Sequence, residues 1–544
     1  MNDTIEYQYI PSAELPHTTR LYSTYIQNFF SLVEYYSYPP TIESVRKVAG
    51  EVHPDLRMRR NVADVLRKQN RAFGSDVSTE ASLERFAAGA AVIVAGQQAS
   101  LFSGPAYTIY KALHTLRIAN DLAAAGTPTV AVFWLATEDH DLAEVNHSFW
   151  FTKRGVERLE LPQSVSEGPG LKGARVGEIP LGNEINALVD RATDLLEGPA
   201  AAQIGRALHE SYGPGDTYGS AFGKFLARVF AGRGLILIDP LSPELQRMAA
   251  PVYRAALEQH AEIADELIDR GKTLEKSGYH AQVKVVEHST LLFISANGKR
   301  TPLISSDTNF ALDQHRYSRQ QLETLLAESP QFFSPSALLR PIVQDTLLGS
   351  AGIIAGPAEV AYYAQASVVY SRILGRMPVI LPRATFTLVP PHLARLMRKY
   401  KLELADFFKG RPTLRKKMER DSVPPELAEL FDEGEKSLRE MFEAMRKPIS
   451  NLDATLNGSL ENAESKMLYH LTSLRERVAR AMAFRSSVLD GHERQLVELL
   501  YPNEALQERS LCLLPMLASL GMSLLDELLG DIPTDATTHQ VIYL

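Results

Sequence analysis

Apolar positions change their period several times along the chain. Up to about residue 90 they recur every three or four residues, as in Tyr25, Phe29, Leu32 and Val33, so this stretch is predicted to be helical, with Pro39-Pro40 stopping the helix. A continuous apolar run follows from Ala91 to Ala95, then GQQASLFSGP, a helical pattern from Ala106 to Ala125, and a second run, TVAVFWLA, at 129–136. Strand, glycine-containing loop, helix and strand make one βαβ unit. Further strand-like runs lie at 234–240 (GLILIDP), 351–357 (AGIIAGP) and 378–383 (PVILPR), with helices predicted from Pro243 to about Arg270 and from Glu359 to Leu374. Strands without polar alternation belong to parallel sheets covered on both faces. The predicted fold is therefore α/β, a doubly wound parallel sheet.

Two stretches break this rhythm. Residues 151–215 are loop-rich, with SEGPGLKG at 166–173 and one helix around 184–197. Residues 277–315 alternate, with QVKVV and TLLFIS as predicted strands and Asn297-Gly298 as a hairpin turn. Both are read as insertions. After Pro390-Pro391 the chain becomes charged and helical, almost without aromatic residues. One apolar stripe is Leu427, Leu430, Leu438, Met441 and Met445; a second is Leu452, Leu456, Leu460, Ala463, Met467, Leu471, Leu474, Val478 and Met482. Steps of four, four and three describe a long, nearly straight helix. Helices at 427–447 and 450–499, parted at Pro448 and Ser450, predict an antiparallel hairpin of coiled-coil type. It either packs on its own core or forms a dimer arm. Pro502 ends the long helix, a new helix starts, and VIYL closes as a strand. The expected domains are 1–150, first part of the α/β core; 151–215, insertion; 216–390, second part of the core with a β-rich insertion near 277–330; 391–500, helical arm; 501–544, a segment packing back on the core.

The chain has 544 residues, too many for one compact domain, and a net charge of −8. Its 45% hydrophobic and 22% charged content excludes a wholly disordered protein. The acidic balance argues against a nucleic-acid partner. A single cysteine, Cys512, rules out an intramolecular disulfide and a thiolate zinc cage, and no metal is expected as a protein ligand. Its setting, LCLLPML, predicts a buried thiol. A basic start followed by an apolar run is missing, as is any apolar stretch of about 18 residues, so a cytoplasmic protein with no membrane partner is expected.

Three segments carry candidate chemistry. In GQQASLFSGPAYTIYK (96–111), Gly96, Gln97, Gln98, Tyr107 and Lys111 stand between a strand and a helix N-terminus, where backbone N–H groups favour anions. The segment lacks GKS or GKT and is not a phosphate loop of the Walker type. In FWLATEDHDLAEVNH, Glu138, Asp139, His140 and Asp141 follow a strand directly. A carboxylate beside His140 sets its tautomer and raises its basicity, as acid–base catalysis requires. A solvated acidic helix start is the plainer alternative. In LLRPIVQDTLLGSAGIIAGPAEVAYYAQ, Arg340, Gln344 and Asp345 precede a strand, and Gly356 and Glu359 follow it; Tyr362 and Tyr363 read better as core.

Taken together, AGQQASLFSGPAYTIYKAL, FWLATEDHD, SALLRPIVQDTLL with IIAGPAEVAYYAQ, and YPNEALQER resemble the bacillithiol-biosynthesis cysteine-adding enzymes, from about residue 5 onward. The resemblance implies a Rossmann-like core with connecting-peptide insertions and a coiled-coil arm used for homodimerisation. It implies a ligase joining L-cysteine to glucosaminyl malate by an amide bond, the last step of bacillithiol biosynthesis. The substrates would be those two small molecules. An adenine nucleotide (ATP or ADP), with magnesium only as the nucleotide's counter-ion, would activate the carboxylate. The tail motif then implies nucleotide-binding roles for Tyr501, Asn503, Gln507 and Arg509. One departure stands out: Gly96-Gln97-Gln98 occupies the place where related cores carry an HxGH motif. A non-catalytic metabolite- or nucleotide-binding protein with a Rossmann core and a dimerising coiled coil is the alternative.

Overall fold

The computed structural model describes residues 6–162, 173–296, 299–306, 309–420, 425–484 and 487–544. The chain divides into two units. One is Tyr9–Phe386 with Glu508–Gln540; the other is Thr387–Gln507 with Met1–Gln8 and Val541–Leu544.

The first unit is built on a five-stranded parallel sheet. Its strands are β1 (Ala91–Gln98), β2 (Thr129–Ala136), β3 (Ile236–Ile238), β4 (Ser350–Ala355) and β5 (Val379–Pro382), in the spatial order β3-β2-β1-β4-β5. Helix α1 (Tyr107–Ala124) connects β1 to β2, and α2 (Pro357–Ile373) connects β4 to β5. Residues 129–135 are buried without interruption, as a strand covered on both faces must be. Burying each Val, Ile or Phe here stabilises the fold by about 1.5–3 kcal/mol. The order reverses between β1 and β4, and in open sheets of this kind a crevice forms there, at the carboxyl ends of the strands.

β1 is longer than the apolar run predicted. Gly96, Gln97 and Gln98 are not loop but strand, paired with Trp134, Leu135 and Ala136. A Cβ on Gly96 would lie 3.1 Å from the Trp134 carbonyl oxygen, so glycine lets the pair continue. The turn itself is left-handed at Phe102 and Ser103 (φ 51° and 68°). Phe102 is locked edge-on against Trp150 and Tyr212, and Cys512 Sγ donates to its carbonyl. Burial pushes that thiol up to about 11.

Side-chain amides stand in for missing strands. At the β3 edge, Asn70 of the helix Leu56–Phe73 donates to Leu237 O (2.8 Å) and accepts from Leu237 N (3.0 Å), and Gln69 treats Asp239 in the same way. The backbone of the edge strand is thereby closed to further pairing. The same device explains why QVKVV is not the predicted strand: Gln365 of α2 clasps Val283 N and O at 2.9 and 2.8 Å.

The helix predicted from Pro243 is two, Pro243–Glu258 and His260–Lys276, because the His260 ring bonds the Leu257 carbonyl at the break. At the start of the 151–215 stretch, and beginning before it, the structure adds a hairpin, His147–Thr152 with Gly155–Glu160. Its turn is built by the Thr152 hydroxyl, which bonds Arg154 N and Gly155 O, so no Asn-Gly signal is needed. The β-rich insertion is a five-stranded antiparallel sheet that reaches Phe333–Pro335. The Asn297-Gly298 turn and residues 166–172 lie outside the described residues.

In the second unit, α3 (Pro425–Leu452) runs through Pro448 and Ser450, and the break comes at Asp453–Leu456 instead. Pro448 lies within the last two turns, where its missing N–H removes one hydrogen bond without ending the helix; Asp453 then accepts from Thr455 N and starts the turn. α4 (Asn457–Phe484) returns antiparallel, fixed by Arg446 to Glu461 and Glu464 at one end and Arg475 to Asp432 at the other. Phe431 and Phe442 are the buried side chains of α3, whereas Leu430, Met441 and Met445 are exposed. The inward face is thus one residue round from the predicted stripe. On α4, Leu460 is buried, while Met467, Leu474 and Met482, and Leu456 just before it, remain exposed. No helix among the described residues is long and apolar enough to cross a membrane.

Candidate active site

A cavity of about 750 Å³ opens at the β1/β4 switch point. Its polar floor comes from the strand ends: Gly96, Gln97 and Gln98 of β1, Glu138–His140 after β2, Gly356 and Glu359 after β4, and Arg383 after β5. Its apolar wall comes from the β-rich insertion, through Val283, Val285, Leu292, Phe293 and Ile304.

The floor is tightly wired. Lys111 Nζ donates to Gly96 O (2.9 Å), Gln97 Oε1 (3.0 Å) and Glu359 Oε2 (2.5 Å). An ammonium has three donors, so all are spent within the protein. Burial lowers the Lys111 pKa, against the pull of Glu359. Glu359 also accepts from Gly356 N at 2.7 Å, which closes the start of α2. Gln97 Nε2 donates to the Tyr107 hydroxyl, and Gln98 Nε2 donates to Asp139 (2.6 Å) and Glu144 (2.8 Å). Burial raises the Asp139 pKa, but hydrogen bonds from Gln98, His140 N and Asp141 N outweigh it and hold the carboxylate below its usual range. His140 Nδ1 lies 3.5 Å from Asp139 Oδ1 and 3.3 Å from Arg300 Nη1. Glu138 is different. It is 5% exposed, with Oε1 held by Gln246 Nε2 (3.3 Å) and Oε2 without a hydrogen-bond partner among the described residues. Burial raises its pKa despite Arg300, Arg340 and Arg175 nearby.

Of the residues singled out from sequence, Gly96, Gln97, Gln98, Tyr107, Lys111, Glu138, Asp139, His140, Gly356, Glu359 and Arg509 line this one cavity. Asp141 does not; its carboxylate caps the short helix Leu142–Val145. Gln344 and Asp345 are buried in the helix Arg340–Leu348, Gln344 bonded to Arg340 and Asp345 to Arg376 and Ser350 N. Tyr501, Asn503 and Gln507 belong to the coiled-coil unit. There the Gln507 amide is occupied by Leu388 N and O, and Asn503 takes a left-handed turn position (φ 53°). Tyr362, read as core, lines the cavity and accepts from Arg340; Tyr363 is core.

Sequence reasoning missed Arg300 and Arg383. Arg383 follows an apolar strand directly, and that position was a usable signal. Arg300 had none: it comes from the insertion, stacked 3.8 Å over Phe293 and tied to Ser334 and Pro335. Among the described residues no cluster of His, Cys, Asp and Glu could hold a metal ion. The cavity thus offers arginines for carboxylates or phosphates, a buried acid, and an apolar wall.

Comparison with known proteins agrees with this layout. Residues 5–384 match the family model for the N-terminal Rossmann-like domain of bacillithiol biosynthesis BshC, and residues 386–544 match that for its C-terminal coiled-coil domain. A protein of Koribacter versatilis named "Putative cysteine ligase BshC" is 39% identical over 533 residues, covering 98% of this chain and 99% of its own. Proteins of the same name from Solibacter usitatus and Salinibacter ruber are 33% and 31% identical, each over 98% of this chain. With both domains matched along their length, the chain belongs to the bacillithiol biosynthesis BshC family.

Proposed function

We propose that this protein is a cytoplasmic ligase that joins the carboxyl group of L-cysteine to the amine of glucosaminyl malate, completing bacillithiol, with an adenine nucleotide activating the carboxylate. The observation that carries this is the cavity at the switch point, where Arg340, Arg383 and Arg509 meet a buried acid and an apolar wall. Both substrates carry carboxylates and a nucleotide carries phosphates, and guanidinium groups bind carboxylates and phosphates in fixed geometry. Arg509 lines the cavity, where its guanidinium can take a phosphate or carboxylate. The insertion's valines and Ile304 suit an adenine or a sugar face. A nucleotide bound here supplies a phosphate leaving group; the chain's own residues orient the partners and exclude water. The test is to incubate purified protein with cysteine, glucosaminyl malate and ATP, and to look for the thiol product and spent nucleotide by mass spectrometry. Binding without product would favour the non-catalytic alternative.

His140, which lines the cavity, and Asp141, which caps a helix beside it, have separate roles. His140→Ala is expected to lower product formation about 100-fold or more, the scale of a lost acid–base group, with unchanged circular dichroism. Asp141→Ala is expected to cost about 1 kcal/mol of stability as a lost helix cap and to stay within a few-fold of parent activity. Equal losses in both variants would contradict this division.

Assembly as a homodimer through the coiled-coil hairpin is part of the same proposal. Met467, Leu474 and Met482 form an exposed apolar line on α4, and such lines mark interfaces. Replacing Met467 and Leu474 by glutamate is expected to give a monomer by light scattering, with the hairpin intact because Leu460, Phe431 and Phe442 hold it. A parent protein that is monomeric at micromolar concentration would contradict the dimer.

A further inference from the structure

Among the described residues of the cavity floor, Glu138 has a fully buried carboxylate oxygen that makes no hydrogen bond. Asp139 is met on both oxygens, by Gln98 and two backbone N–H groups, and Glu359 already has its counter-ion, since its Oε2 accepts from Lys111 as well as from Gly356 N. Glu138 keeps Oε2 without a partner among the described residues, although leaving a buried oxygen unsatisfied is costly. Its orientation is set from behind: Gln246 Nε2 holds Oε1 and donates also to Pro240 O, and the Gln246 carbonyl oxygen is held by the Tyr253 hydroxyl at 2.6 Å. The strand end itself is braced, since Thr137 bonds Asp239 and its carbonyl accepts from Gly177 N, where a Cβ would fall 2.3 Å from Thr137 Cβ. Three arginines, Arg175, Arg300 and Arg340, act on Glu138 only through space, and none of them hydrogen-bonds to it. A fixed, buried, half-satisfied carboxylate without a counter-ion in direct contact, in a cavity otherwise rich in arginine, suits a cation.

We infer that Glu138 is the receiving group for the substrate's amine: its free oxygen binds the ammonium and takes one proton from it. The assignment rests on the ligase reading and names the base that reading needs. The amine enters as R–NH3+ and leaves one proton on the Glu138 carboxylate. The freed lone pair attacks the activated carboxyl carbon, the C–N bond forms, and the bond from that carbon to the phosphate leaving group breaks with its electron pair on the phosphate oxygen. The nitrogen's surplus proton passes to solvent. Burial favours the protonated carboxyl, so Glu138 can hold the proton it takes.

The test compares glucosaminyl malate with its N-acetyl form, which has no cationic nitrogen, by calorimetric titration. The parent is expected to bind the amine at least tenfold more tightly than the N-acetyl form. Glu138→Gln, which keeps the acceptor for Gln246 and removes the charge, is expected to bind the two within twofold, and to lose at least 100-fold in product formation. Glu138→Asp keeps the charge on a shorter arm and is expected to retain part of the discrimination, which guards against a folding defect in the glutamine variant. A Glu138→Gln protein that discriminates as the parent does, or a parent that does not discriminate, overturns the assignment. A parent that binds neither form, and makes no product with cysteine and ATP, overturns the substrate reading and this assignment with it.

Discussion

Glu508→Ala is expected to lower the stability of the Rossmann-like unit by about 3–5 kcal/mol, the cost of breaking a buried ion pair by removing one partner. The Arg383 and Glu508 side chains are 4% and 0% exposed and meet at 2.6 Å. Burial works against the Arg383 charge and Glu508 more than restores it. The second Glu508 oxygen accepts from Phe386 N at 3.0 Å, so alanine strands a guanidinium and a backbone N–H together. A loss of this size is a large share of the roughly 5–15 kcal/mol that holds a typical protein folded. Both tryptophans, Trp134 and Trp150, lie in this unit and are buried, so urea unfolding followed by their fluorescence reports on it. Pairing Arg383→Met with Glu508→Leu should be milder than either change alone, since no unpaired charge remains. A Glu508→Ala midpoint equivalent to less than about 1 kcal/mol of destabilisation would show that the pair is not what secures this region.

Lys111→Met is expected to be the next most damaging change, and to act on the cavity itself. It removes the donor that ties the end of β1, through Gly96 and Gln97, to the start of α2, through Glu359. Glu359 is left facing Gly356 N without its ion-pair partner. We expect a loss of about 3 kcal/mol and a fall in product formation of at least 100-fold, because misplacing positioning groups by about 1 Å costs that much in rate. Lys111→Arg should not restore either, since a planar, longer guanidinium cannot place three donors on these three oxygens. Parent-like activity in Lys111→Met, measured by thiol product formed per minute, would show that the tie does not shape the cavity.

The parallel core was legible because its strands carry no polar alternation; TVAVFWLA was placed to the residue. The convergence of Gln97, Gln98, Glu138–His140, Gly356 and Glu359 was legible because each follows an apolar run, and parallel strands bring their carboxyl ends to one edge. What lay hidden depended on tertiary partners. The β1 strand continues through two polar glutamines because Trp134–Ala136 pair with it, and periodicity sees only apolar runs. QVKVV has the composition of a strand, yet its backbone is taken by Gln365, some eighty residues away. In the coiled coil a one-residue error in phase, about 100° on a helix, exchanged Leu430 and Met441 for Phe431 and Phe442. Asp141 was read as catalytic and Lys111 as substrate-binding, but the hydrogen-bonding capacity of both is used inside the protein, and only geometry reveals that.

The amides of Gln69 and Asn70 on the edge of β3 bear on how the chain is made. Asn70 precedes Leu237 by 167 residues. At roughly 5–20 residues per second of synthesis, that separation is roughly 10–30 s. When Ile236–Ile238 leaves the ribosome, the helix that shields its outer edge has therefore long been available. The strand with the exposed flank is never offered to a neighbouring nascent chain before its cover exists, so order of synthesis protects against cross-chain pairing where a late-arriving cover would invite it.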